Sequence, residues 1–134
     1  SQEDKELAIE KIDDICEARI KNSLYLDEKL GAINGVSIPP RDFDTIRQVF
    51  HIYPLIFEKR DELKAFLELR GIDAKIHYPV PMHLQRAANK YGYKKGDFPV
   101  AEHLSSSTLS LPVHEFVTIE QLDLMIDAVR KFYS

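Results

Sequence analysis

The sequence predicts a two-layer α+β domain: a small, mostly antiparallel sheet of about three strands, helices packed on it, and a long helix at the amino-terminal end. Three observations carry this reading. Helical periodicity runs nearly unbroken from Asp4 to Leu30; β-prone stretches lie at 48–57, 72–78 and 108–112; and helical stripes with recognisable ends fall between and after them. A chain of 134 residues suits one domain that buries a single core without metal or disulfide staples. It contains no internal repeat, low-complexity tract or linker.

In the first helix, Ala8, Ile12, Ile15, Cys16, Ile20 and Leu24 recur at helical spacing while charged residues fill the other face. The helix is longer than usual for a compact domain, so part of it is expected to pack against something outside this chain. Gly31 and Gly35 end it, and Pro39-Pro40 follows the short segment Gly35–Ile38. Residues Gln48–Phe57, rich in β-branched, aromatic and aliphatic side chains, read as a strand. Pro54 within them points to an edge strand or a bulge, because proline donates nothing to a ladder.

Lys59–Arg70 reads as a helix with Leu63, Phe66 and Leu67 on successive turns and Gly71 placed for a left-handed cap. Ile72–Tyr78 reads as a second strand running into Pro79-Val80-Pro81. A short helix is predicted over Leu84–Tyr91, ending at Gly92, and another from Asp97-Phe98-Pro99 to about Ser105, with Pro99 in its first turn. Thr108–Pro112 is the third strand. Thr118-Ile119-Glu120-Gln121 has capping-box form, and behind it Leu122, Met125, Ile126, Val129 and Phe132 form one stripe that should pack on the sheet.

Composition narrows the function. Eighteen basic against twenty-two acidic residues, a net charge of -4, argue against a nucleic-acid binder. The one local basic pair, Lys94-Lys95, reads as a solvated turn. Cys16 is the sole cysteine, which excludes an internal disulfide and a cysteine-rich zinc site and fits a reducing cytoplasm, the expected location. No apolar run approaches the roughly 20 residues a membrane span needs. The start, Ser1-Gln2-Glu3-Asp4, lacks the basic and apolar regions of a signal peptide. The missing initiator methionine fits either processing or a piece of a longer protein.

The chemistry concentrates in Ile76-His77-Tyr78-Pro79-Val80-Pro81-Met82-His83-Leu84-Gln85. Two imidazoles, a phenol and a primary amide fall within ten residues, and two prolines stiffen the backbone between them. A pre-shaped strand exit of this kind is how a rigid scaffold presents a ligand contact. No metal site is expected: His77 and His83 are six apart across a stiff turn, and His103 and His114 have no partner at ligand spacing. His51, inside the first strand, reads as a half-buried, hydrogen-bonded residue. Ser105-Ser106-Ser107 lacks a nucleophile elbow and reads as a helix end. Cys16 reads as core packing. The scattered glycines form no phosphate cradle. On the residues alone, His77 and Tyr78 stand equally as ligand contacts and as strand-end side chains that satisfy local backbone.

A resemblance shifts that balance. Gly71 to Gln85, read in order, closely resembles a signature of the DegT/DnrJ/StrS family, pyridoxal-phosphate-dependent aminotransferases acting on nucleotide-linked keto sugars. The likeness continues through Tyr91-Gly92-Tyr93-Lys94-Lys95-Gly96-Asp97-Phe98-Pro99-Val100-Ala101-Glu102 and Leu109-Ser110-Leu111-Pro112-Val113-His114. Upstream, Val49-Phe50-His51-Ile52-Tyr53-Pro54 and Arg60-Asp61-Glu62-Leu63 share it.

What this implies is the carboxyl-terminal small domain alone, an aspartate-aminotransferase-like small domain spanning residues 1–134. The large domain that holds the aldimine lysine, the acid facing the pyridine nitrogen and the phosphate cradle is absent. The full-length enzyme would use pyridoxal phosphate to pass an amino group from glutamate to a sugar ketone, as a homodimer. The isolated chain is expected to bind no cofactor, to carry no catalytic residue and to be inactive. By resemblance, His77 and Tyr78 match a pair near the donor carboxylate and the sugar. His83 and Gln85 match further substrate-site positions where shaping the loop is as fitting a role as ligand contact. The motifs also suit a branch of the family that performs dehydration with the lysine replaced. The alternative to an enzyme domain is a free-standing, non-catalytic module of the same fold that binds a small molecule or a protein.

Overall fold

The computed structural model describes residues 1–41 and 52–134. Helix α1 (Gln2–Leu30) opens on a capping box in which Ser1 Oγ accepts from Asp4 N. Its two halves differ. Residues 2–14 are exposed along their length, whereas Ser23, Leu26 and Leu30 are fully buried. Of the predicted stripe, Ile15, Cys16 and Ile20 are half-buried while Ala8, Ile12 and Leu24 are exposed. The stripe's early members lie beyond the reach of the core, and the helix enters it through Leu26 and Leu30 instead.

The sheet has strands β1 (Val36–Ser37), β2 (Pro54–Phe57) and β3 (Thr108–Ser110), antiparallel in the order β1-β2-β3. Val36 faces Phe57, and Leu55 faces Leu109. The strand predicted from Gln48 is realised at 54–57 as the central strand, so the edge or bulge expected from Pro54 is corrected. As the first residue of β2, Pro54 needs no ladder donor there. The earlier part of that prediction, with His51, lies outside the described residues.

Ile72–Tyr78 is the second correction: only Lys75 pairs, exchanging bonds with Ser110 (Lys75 N to Ser110 O 3.0 Å, Ser110 N to Lys75 O 2.8 Å). The neighbouring donors are used locally, Ile72 N to Leu67 O and Ala74 N to Ile72 O, and Pro79 and Pro81 offer none. The third strand of the sheet is Val36–Ser37 instead.

Helices α2 (Arg60–Glu68), α3 (Pro99–Ser107) and α4 (Ile119–Tyr133) complete the domain. Gly71, at φ +74°, ends the α2 region in the left-handed form that suits glycine. The stretch predicted as a helix at 84–91 folds as two 3₁₀ turns, Met82–Leu84 and Arg86–Tyr91. The Thr118–Gln121 capping box forms as read, and Leu122, Met125, Ile126 and Val129 are buried. The main neighbours of α4 are α1 and α2, so its stripe closes the core against helices more than against strands. Tyr53, Leu55, Phe57, Leu63, Leu67 and Leu109 form the centre of that core, each at most 1% exposed.

Two buried polar hubs tie the layers together. Tyr53 Oη donates to Asp27 Oδ1 (2.5 Å), and the Arg41 guanidinium donates to both Asp27 oxygens (3.2 and 3.3 Å). Burial, then the bond to Asp27, pushes the Tyr53 phenol well above its ordinary range. Arg60, 7% exposed, donates through Nη1 to Ser105 O (2.9 Å) and Thr108 O (2.8 Å), pinning the end of α3 to the start of β3.

Candidate functional site

The segment from Gly71 to Phe98 leaves the core at the Lys75–Ser110 pair and carries all four predicted site residues. The structure divides them. His77 is half-buried and Tyr78 is 70% exposed, their ring centroids 6.1 Å apart at 74°. The peptide joining them is cis. Both present their rings near the surface.

His83 and Gln85 turn the other way. His83 is buried at 8% exposure, its Nε2 lies 3.2 Å from Glu102 Oε1, and its ring meets the Phe98 ring edge-on at 4.8 Å. Gln85 Nε2 donates to Val80 O (3.2 Å), closing the loop across Pro81. His83 Nε2 and Gln85 Nε2 are each engaged by the protein, which favours loop shaping over ligand contact. Sequence reasoning passed over Glu102; its carboxylate is nineteen residues from His83, and the signal that touched it was its place in the family-like stretch.

A groove of about 980 Å³ runs beside this segment, and of the four predicted residues His77 lines it. Its walls are largely apolar, from Leu111, Val113 and Val117 on one side to Leu124, Met125 and Ala128 on α4, with Lys75 and Lys131 among the polar residues. Such a surface can hold an apolar body while cations and His77 meet anionic or hydroxyl groups.

A pyridoxal cofactor needs a lysine in a dry enclosure, an acid for the ring nitrogen and a phosphate cradle. Lys75 does not fit: it is exposed, with Nζ 3.3 Å from the exposed Asp73. Lys131 is also exposed. The groove therefore does not fit the cofactor on its own. Among the described residues no three His, Cys, Asp or Glu side chains gather as a metal site, and no helix is long and apolar enough to cross a membrane.

This geometry has close counterparts. A model of the DegT/DnrJ/EryC1/StrS aminotransferase family matches residues 7–130. The chain is 38% identical over 103 residues to the dTDP-3-amino-3,4,6-trideoxy-alpha-D-glucose transaminase of Streptomyces venezuelae, covering 77% of this chain and 27% of that protein. It is 37% identical over 102 residues to a pleiotropic regulatory protein of Geobacillus stearothermophilus, covering 76% and 27%. The solved structure of S. venezuelae DesV in complex with a ketimine intermediate superposes with a TM-score of 0.89 at 32% identity, over 96% of this chain and 34% of that one. The chain thus spans about a quarter to a third of the length of these relatives. With the match running over nearly all its residues, the chain belongs to the DegT/DnrJ/EryC1/StrS aminotransferase family.

Proposed function

We propose that this chain is the carboxyl-terminal small domain of a pyridoxal-phosphate-dependent aminotransferase acting on a nucleotide-linked keto sugar, and that His77 and Tyr78 wall one side of its substrate site. The supporting observation is the division of the four polar residues: His83 and Gln85 bond within the loop, leaving His77 and Tyr78 presented outward. Short coverage of transaminase relatives supports assigning the rest of the enzyme to another part of the protein.

The roles follow from the groups. An imidazole N–H of His77 donates to the carboxylate of glutamate, the amino donor, and the Tyr78 hydroxyl donates to or accepts from a sugar hydroxyl. Pro79 and Pro81 restrict the backbone behind them, so little freedom is lost when substrate binds. The cofactor, held elsewhere in the complete homodimer, supplies the electron sink; this chain supplies orientation and is inactive alone.

Kinetics of the complete enzyme test this. His77→Ala and Tyr78→Phe should each lower kcat/KM by about tenfold or more, the loss of one oriented polar contact. Unchanged glutamate and sugar kinetics in both variants would remove the site assignment. A reading frame encoding this length alone, with a stable complex formed through α1, would instead make the chain a binding module.

A further inference from the structure

We propose that Glu102 is a positioning residue for the His77–Tyr78 edge, acting through His83. This rests on the reading that the edge faces substrate, but the contact itself stands apart from it. Glu102 lies in the first turn of α3. Its Oε1 and Oε2 accept from Gly96 N at 2.8 and 3.0 Å, and Oε1 lies 3.2 Å from His83 Nε2. An ionised carboxylate only accepts, so the proton between the two side chains sits on His83 Nε2.

The imidazole is fixed on a second side by Phe98, which in turn meets Tyr93 at 5.3 Å. From residue 77 to residue 100, His83 is the one buried side chain. Apolar burial contributes little to this stretch, so the charge-assisted bonds of Glu102 weigh more in holding it.

The other end of α3 is tied to the core by the Arg60 bonds to Ser105 O and Thr108 O. A continuous support results: core, Arg60, α3, Glu102, His83, and then the loop that Gln85 closes against Val80. Tyr78 stands directly before that loop and has no anchor of comparable burial of its own. Glu102 thus converts the rigidity of the core into a fixed direction for an exposed edge.

Nuclear magnetic resonance of the 134-residue chain provides the test. The native protein should show His83 with its proton on Nε2 at neutral pH and a protected Gly96 amide. In Glu102→Ala, exchange at Gly96 should rise about tenfold or more, and the Tyr78 ring signals should shift, while α4 and β2 amides keep their protection. Glu102→Gln keeps an oxygen where Oε1 meets both Gly96 N and His83 Nε2 and loses only the charge. It should keep Gly96 protected and the His83 proton on Nε2.

Native-like Gly96 exchange and Tyr78 signals in Glu102→Ala would overturn the proposal. If that variant unfolds, His83→Ala decides: Tyr78 ring signals unchanged in it overturn the proposal. In the complete enzyme, Glu102→Ala should raise KM for the sugar several-fold more than it lowers kcat, with Glu102→Gln restoring it. Resonance changes without that KM effect would refute the substrate-wall reading and leave the Glu102 contact intact.

Discussion

The body of the domain and the segment that carries the candidate site are stabilised by different physics. In the body, Phe57, Leu63, Leu67, Leu109, Leu122 and Val129 are at most 1% exposed, and shape follows from apolar area removed from water. Between residues 77 and 100 the same chain buries His83 alone and folds as 3₁₀ turns stitched by side-chain hydrogen bonds. Packing in the body is cooperative, and the polar hubs at Asp27 and Arg60 tie its layers together from within. In the segment a few directional contacts set where each side chain points, and removing one should redirect the surface without melting the fold.

Substitutions can break this contrast or sharpen it. The largest effect is expected for Phe57→Ala, which should cost about 3–5 kcal/mol in denaturant unfolding because it opens a cavity in a closed core. Asp27→Ala comes next at about 2–3 kcal/mol, since Tyr53 and Arg41 lose their shared acceptor in a buried setting. Thr118→Ala should cost about 1 kcal/mol through the lost cap of α4, read as a lower thermal midpoint.

Met82→Ala, in the site segment and 82% exposed, should change stability by less than about 0.5 kcal/mol. A loss there as large as that from the core residue would erase the distinction between the two regions.

Alkaline pH probes the body from another direction. Burial pushes the Tyr133 phenol from 10 up to about 12, with Glu58 and Glu62 adding to the shift. A folded-state pKa above the unfolded value means that the unfolded chain releases its proton first. The stabilisation is complete below about pH 10 and is lost as pH rises toward 12. Tyr133→Phe should flatten this part of the stability curve.

Much of the body was legible because its signals are local. Thr118 and Gln121 announce the start of α4 three residues apart, Gly71 marks the end of the α2 region, and Pro99 opens α3. The Ile72–Tyr78 strand misled because alternating β-prone residues report propensity, whereas pairing depends on which backbone donors remain free. Val36–Ser37 escaped notice because a two-residue strand has no pattern to read. At the candidate site, the sequence set His77 and Tyr78 apart from His83 and Gln85 but left the role of the second pair open. For His83 and Gln85, loop shaping and ligand contact weigh equally in the sequence, because their partners Glu102 and Val80 are fixed only by the fold. Arg60 was equally opaque, as its partners Ser105 and Thr108 lie more than forty residues away.

The Lys75–Ser110 pair has a consequence for how such a protein diversifies. Those two bonds close an excursion that starts and ends on the same edge of the sheet, so the stretch from residue 76 to 98 is spliced into a frame that is already shut. The entropy of closing such a loop grows only with the logarithm of its length. Lengthening or rewriting the stretch before α3 therefore costs the frame little, and its surface can be exchanged as a cassette while the scaffold stays the same.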